Sequence, residues 1–361
     1  MASVKTPQSK ARSRKDGSAI PLDETDKRLM NMLQSNFPLD PEPFALIGAA
    51  TELDLDDVLT RTQRLLDGRI IREITPIFDT RALGYESMLV AAKVDADNPQ
   101  RAAQAVNAHP GVSHNYLRTH DFNLWFTIAT PPDSELGLDG TLEVLMRETG
   151  ATSMRELPTL TLFKINMNLE MEKGTEALAA AVEAAPPREL DAQPYGADDI
   201  ALIRAMQGPM AAVERPYDEA ATELGIDTGE LLNRLRDLTD RKILRRVAAI
   251  LYHRRAGFSA NGMGVWKVPG DEIMDVGARM ASFRGVSHCY QRPTYEDWPY
   301  SVFTMAHGRS KEECDAVLDS IADDCGIGPD GRATLYSSTE YKKIRLHYFT
   351  DDYSRWEREH S

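Results

Sequence analysis

The sequence repeats itself, and the length of the repeat limits what the chain can fold into. "EPFALIGAATELDLD" at 42–56 returns as "RPYDEAATELGID" at 215–227, two residues shorter. "DGRIIREITPIFDTRALGY" at 67–85 returns as "DRKILRRVAAILYHRRAGF" at 240–258, and "GVSHNYLR" at 111–118 as "GVSHCYQR" at 285–292. The offset stays between 171 and 174 residues. Solenoid repeats run to about 20–50 residues, so this period is too long for a stack of identical turns. It predicts two copies of one unit of roughly 150 residues, each large enough for its own core. Between them, 173–197 is rich in Ala and Pro and lacks apolar periodicity after Val182, which reads as a linker whose start is helical up to Pro186.

Each copy divides again. In copy one, Leu29, Met32 and Leu33 share a helical face, with Asp23 placed to cap the helix. Phe44, Leu46, Ile47 and Ala50 mark a second helix, and Val58, Leu59, Leu65 and Leu66 a third, opened by Asp54 and ended near Gly68. "RIIREITPIF" is β-branched and reads as a hairpin or wing. Three helices and a wing predict a winged helix-turn-helix. The rest of the copy reads strand (87–95), helix (98–111), strand pair (112–130), helix (140–150) and strand (154–168). That β-α-β-β-α-β order is ferredoxin-like. The fold class is therefore α+β, a tandem duplication of winged helix-turn-helix followed by ferredoxin-like domain. The predicted boundaries are a disordered basic tail at 1–20, helix-turn-helix A at 21–78, ferredoxin-like A at 79–172, the linker, helix-turn-helix B at 198–251 and ferredoxin-like B at 252–352.

A helix-turn-helix invites a DNA-binding reading, and charge argues against it. The chain carries a net charge of −14. The third helix of each copy, 54–67 and 227–240, is net −2, with acidic residues at the end that would enter the major groove. Such a helix meets phosphates with the wrong sign. Five basic residues in the N-terminal tail are a solubilising arm more readily than a nucleic-acid contact. No apolar run is long enough to cross a membrane, and no signal-peptide core is present. Three cysteines without a CxxC pair fit a reducing, cytoplasmic setting.

The chemistry-bearing residues lie in the ferredoxin-like parts. Side chains two apart on a strand share a face. His114, Tyr116 and Arg118 therefore line one face in copy one, and His288, Tyr290 and Arg292 the same face in copy two. Imidazole, phenol and guanidinium suit a planar, polyanionic ligand. His253, Arg254 and Arg255 add to this set if their strand lies alongside. The bland reading is that a strand-face histidine is a satisfied structural residue, and a duplication keeps structural residues too. No metal-ligand spacing, P-loop or Ser-His-Asp signature is present, so no metal of the chain's own is expected.

The helix-turn-helix followed by a ferredoxin-like domain resembles the leucine-responsive regulator/AsnC proteins. "RRVAAILYHRRAGFSANGMGVWKVP", "VSHCYQRP" and "WPYSVFTMAHG" more specifically resemble the siroheme decarboxylases, over residues 22–350. Copy one is similar to one subunit type and copy two to the other, so the chain resembles a natural fusion of both. The resemblance implies conversion of siroheme to 12,18-didecarboxysiroheme by loss of two acetate carboxyl groups, in haem or dioxo-isobacteriochlorin haem biosynthesis. It implies siroheme as substrate and no added cofactor. His253 and His288 would be proton donor or iron ligand. Arg254, Arg255 and Arg292 would hold carboxylates, Tyr290 would donate a hydrogen bond, and Trp298 would pack on the macrocycle. His114, Tyr116 and Arg118 would contribute to a second pocket or to structure, because Thr80 stands where His253 stands. Ser301 stands where the family tends to have Asn in "WPYN", a departure that puts in doubt any hydrogen bond from that position. Pairing of the two halves within one chain is expected, and a further homodimer remains compatible. The rival reading is a DNA-binding regulator that senses haem or another small molecule.

Overall fold

The computed structural model describes residues 20–35, 37–165, 192–252 and 260–360. The expected tail and most of the linker lie outside them. Copy one begins with three helices, α1 (Glu24–Ser35), α2 (Pro43–Thr51) and α3 (Leu55–Asp67), then strand β1 (Ile71–Phe78). Copy two repeats them as α6 (Ala197–Met206), α7 (Asp218–Leu224), α8 (Thr228–Asp240) and β7 (Leu244–Leu251). The local code repeats as well. Asp54 caps α3 by accepting from the Asp57 amide at 2.7 Å, and Asp227 caps α8 by accepting from the Glu230 amide at 2.9 Å.

The expected hairpin wing is corrected. Each copy supplies one strand, and β1 pairs antiparallel with β7 across the duplication, from Ile71 opposite Leu251 to Phe78 opposite Leu244. An isolated strand leaves its backbone donors and acceptors unpaired, and the second copy satisfies them. Both helical units share one core as a result, with Leu29, Phe44 and Leu65 from copy one beside Leu202, Leu235 and Val247 from copy two.

The ferredoxin-like unit of copy one holds β2 (Glu86–Lys93), α4 (Pro99–Ala108), β3 (Val112–Arg118), β4 (Leu124–Thr130), α5 (Gly137–Thr149) and β5 (Ser153–Leu157). Strand β6 (Thr161–Ile165) follows. That of copy two holds β8 (Ala260–Trp266), α9 (Ile273–Ser282), β9 (Val286–Gln291), β10 (Val302–Gly308), α10 (Lys311–Cys325) and β11 (Arg332–Lys343). Helices α5 and α10 both end on a glycine at φ +66, Gly150 and Gly326, where a side chain would be strained.

The strands run β5-β2-β4-β3-β11-β8-β10-β9-β6. The final strand expected at 154–168 is broken at Pro158, which has no amide to donate to a ladder. Its first half, β5, pairs with β2 of its own copy, and its second half, β6, crosses to β9 of the other. Strand β11 does the same without a break, pairing with β8 over 332–336 and with β3 over 337–343. Thus each copy ends in a segment that stitches the two four-stranded sheets together. Phe163 of β6 lies against Gly277 of α9, where a Cβ would come within 2.4 Å of its ring. Helices α4 and α5 cover the outer face of one sheet, and α9 and α10 that of the other. Between the sheets lies a further core, containing Trp125 and Leu157 of copy one and Met263, Trp298 and Phe303 of copy two. A C-terminal helix, α11 (Asp352–His360), follows the predicted end of the domain and sets Trp356 edge-to-face against His109 of copy one, ring centroids 4.4 Å apart.

Candidate active site

Strands β3 and β9 present the same three groups in the same way. Asn115 and Cys289 turn outward, donating to the Ala103 carbonyl of α4 and the Gly277 carbonyl of α9. The alternate residues therefore face between the sheets. His114 and Tyr116 have ring centroids 6.1 Å apart, and His288 and Tyr290 5.9 Å apart. Both strands are irregular at the serine before the histidine. Pairing with β4 slips between Val112 and His114, and pairing with β10 slips between Met305 and Ala306. A bulge re-aims consecutive side chains. Ser113 Oγ accordingly shares a hydrogen bond with His114 Nδ1 at 2.9 Å, and Ser287 Oγ with His288 Nδ1 at 2.7 Å.

The arginines correct an expectation. Arg118 and Arg292 are both buried, and neither is presented as a carboxylate clamp. Arg118 Nη1 donates to the Leu335 carbonyl at 3.1 Å, and Arg292 Nη1 donates to the Leu157 carbonyl. Each is a strut from one copy to the other, with its Nε buried and unpartnered. The guanidinium carbons sit 5.5 Å from the Tyr116 ring and 4.8 Å from the Tyr290 ring. Burial lowers both arginines to about 10, with the neighbouring tyrosine opposing, so both stay charged at neutral pH. Trp298 is also corrected. It is fully buried in the inter-sheet core, 5.2 Å from Trp125 and 5.6 Å from Phe122 between ring centroids, and offers no open face to a macrocycle. Ser301, the position put in doubt, does form hydrogen bonds, with the Val268 backbone. It accepts from the Val268 amide at 3.1 Å and donates to its carbonyl at 2.9 Å.

The surroundings of the two faces differ. Burial brings His114 down to about 4, helped by Lys343 and Arg72. In copy one, Glu73 lies 3.6 Å from Arg72 and 3.7 Å from Arg345, so a carboxylate answers these cations. Arg246 occupies the repeat position of Glu73. Burial pushes the Tyr290 phenol up, and the charges of Arg292, Arg245 and Arg81 pull against it. No carboxylate pairs with Arg81, Arg245 or Arg246 among the described residues. Arg81 comes from copy one, so the copy-two face draws on both halves. His253, Arg254 and Arg255 lie outside the described residues. A cavity of about 720 Å³ opens against α3, lined by residues that include Leu59, Gln63 and Arg64, and touches none of the strand-face groups.

The AsnC-like ligand binding domain family matches residues 82–164 and 255–342, and the siroheme decarboxylase NirDL-like HTH domain family matches 26–72 and 199–245. A siroheme decarboxylase of Hydrogenobacter thermophilus is 40% identical over 337 residues, covering 93% of this chain and 98% of its own. The chain belongs to the siroheme decarboxylase family. The siroheme decarboxylase beta subunit of Methanosarcina barkeri is 40% identical over 150 residues, 41% of this chain and 97% of its own. A single copy thus corresponds to a whole subunit, and the chain is a fusion of two siroheme decarboxylase subunit types. The crystal structure of the siroheme decarboxylase NirDL, also solved in co-complex with an iron-uroporphyrin III analogue, matches with a TM-score of 0.73 at 34% identity, covering 93% of this chain and 98% of that one.

Ser287, Arg81 and Arg245 were missed as site residues from sequence. The repeated "VSH" carried a signal for Ser287, because a serine before each histidine serves no alternation of buried and exposed positions.

Proposed function

We propose that the chain is a carboxy-lyase that converts siroheme to 12,18-didecarboxysiroheme, with siroheme as substrate and no added cofactor. The observation that carries this is the copy-two face: imidazole and phenol beside arginines that no carboxylate among the described residues answers. A tetrapyrrole with many carboxylates supplies the missing charge. Losing carbon dioxide from an acetate on an aromatic-type pyrrole leaves an electron pair that the ring delocalises. The acetates on the reduced rings hang from tetrahedral carbons and lack that outlet. The enzyme then needs to orient the carboxylate and deliver one proton to carbon, a step worth about 10²–10⁴-fold when a side chain performs it.

His288 is the proton donor in this scheme, because its Nδ1 is held by Ser287 and its ring stands beside Tyr290. Tyr290 acts as a neutral hydrogen-bond donor, since its raised pKa keeps the phenol protonated. Arg81 and Arg245 hold substrate carboxylates, joined by Arg254 and Arg255. His253 is then the imidazole left for the substrate iron. Arg118 and Arg292 shape the walls, and His114 and Tyr116 belong to a face that serves the structure and does not turn over.

The helix-turn-helix layer serves as a scaffold in this reading. Arg61 and Arg64 of α3 are engaged by Asp26 at 2.9 and 2.5 Å, so they are committed within the fold rather than offered to phosphates. Among the described residues no helix is long and apolar enough to cross a membrane, and the three cysteines are free, which supports a cytoplasmic setting.

The test is anaerobic incubation of the purified chain with siroheme, followed by product mass. Two successive losses of carbon dioxide are expected. Intact siroheme after prolonged incubation with folded protein would end the proposal.

A further inference from the structure

One histidine near the copy-two face has no counterpart in copy one. His307 lies on β10, and its amide donates to the Gly285 carbonyl at 3.1 Å. The equivalent bond in copy one runs from the Ala129 amide to the Gly111 carbonyl at 2.9 Å. The flanking register agrees, with Ala306 opposite Val286 and Ile128 opposite Val112. Alanine therefore stands in copy one where His307 stands in copy two. His307 Nε2 shares a 2.7 Å hydrogen bond with Ser287 Oγ. The same oxygen shares a 2.7 Å bond with His288 Nδ1, and lies 3.4 Å from the Met305 carbonyl. Among the described residues His307, Ser287 and His288 are thus linked side chain to side chain, where copy one links Ser113 to His114.

A serine hydroxyl has one proton and swings about its Cβ–Oγ bond. Held on one side alone, as Ser113 is, it is a loose anchor for an imidazole. Held on both sides, it is fixed in direction, and so is the ring bonded to it. We infer that Ser287 and His307 are positioning residues for the copy-two reaction: they grip His288 by Nδ1 and so assign Nε2 to the substrate. The inference rests on the proton-donor role given to His288 above. It makes the two copies unequal for a reason built into the strands themselves: the imidazole on β9 is braced, and that on β3 is not. Neither Ser287 nor His307 touches the reacting carbon, and each acts through His288. The geometry of a donor matters because a displacement of about 1 Å at the reacting atoms costs on the order of 10²-fold.

The test compares Ser287→Ala, His307→Ala, the double variant, Ser287→Thr and the control Ser113→Ala in steady-state siroheme decarboxylation. Each single change is expected to lower kcat about tenfold while leaving KM within about twofold, because ring placement and not substrate affinity is lost. The double variant is expected to be no worse than the poorer single one, since either change breaks the same chain. Threonine keeps the hydroxyl and is expected to restore kcat to within about threefold of the parent. Ser113→Ala is expected to leave kcat unchanged. Unaltered kcat in the two alanine variants, losses that multiply in the double variant, or failure of threonine to restore the rate would each overturn the bracing role. Those outcomes leave the decarboxylase reading standing so long as the parent chain releases carbon dioxide. A parent chain that releases none overturns both.

Discussion

Strands β3 and β9 carry the same word, Ser-His-x-Tyr-x-Arg, and the fold treats them alike up to the backbone and no further. Both bulge at the serine, both bring histidine and tyrosine about 6 Å apart, and both send the arginine across to a carbonyl of the other copy. The difference lies one residue further out. Copy one sets Glu73 against its cations and Ala129 behind its serine, and copy two puts Arg246 and His307 at those places. A duplication keeps what the frame needs, because each strut and bulge holds the sheets together. Chemistry is free to diverge in the surrounding shell, where a substitution costs the frame little.

The largest effect expected from this contrast is kinetic. His288→Ala should slow loss of carbon dioxide by about 10²-fold or more, the scale of a lost proton donor. His114→Ala should cost less than about tenfold, since its partner hydroxyl is not braced. Product mass against time separates the two, and equal losses would mean that both faces turn over. The next effect is on substrate affinity. Arg246→Glu gives copy two the carboxylate of copy one, and siroheme KM should rise about tenfold, as one charge-assisted contact of about 1.5–3 kcal/mol is weakened. Glu73→Gln should leave KM unchanged. A rise in KM from Glu73→Gln instead would place the substrate on copy one.

How much of this was written in the sequence follows from the range of each interaction. Helices α1 to α3 and their copies were legible because apolar residues recur at helical spacing and Asp54 and Asp227 mark the starts. The strand of the helical unit was legible from its β-branched residues. The pairing of β1 with β7, and the handover of β6 to β9, were not, because partners more than a hundred residues apart leave no local trace. At the site, spacing gave the shared face of His288 and Tyr290 but not the reach of Arg292. Alternation says which side a residue leaves from, and says nothing of whether a long side chain turns back to a backbone carbonyl. Trp298 failed for a related reason. A large aromatic near a site serves a ligand or a core equally well by composition, and the facing sheets claimed it.

The struts offer a test in which the two faces should agree. Arg118→Met and Arg292→Met each leave a buried carbonyl, Leu335 or Leu157, without its donor. Each should lower stability by about 1–3 kcal/mol, read as a fall in the urea midpoint with the slope unchanged. A large loss from one and none from the other would break the equivalence of the two frames.

The smallest expected effect is again on one side only, and it is set by pH. His114 titrates at about 4 in the folded chain, against about 6.5 when unfolded, chiefly because burial disfavours its charged form. Between those values the unfolded chain binds the proton and the folded chain does not. Stability is therefore complete above pH 6.5 and declines as the pH falls towards 4. Replacing His114 with Gln removes that proton from the balance, and the stability lost on acidification across the window, read from urea unfolding at each pH, should shrink by on the order of 1 kcal/mol. His109, brought to about 3 by burial and then by Lys342 and His360, supplies a second, independent part of the same loss, so His114→Gln should reduce it without abolishing it. An unchanged loss in His114→Gln would mean that water reaches this ring in the folded chain, and that the copy-one face is as open to a ligand as its partner.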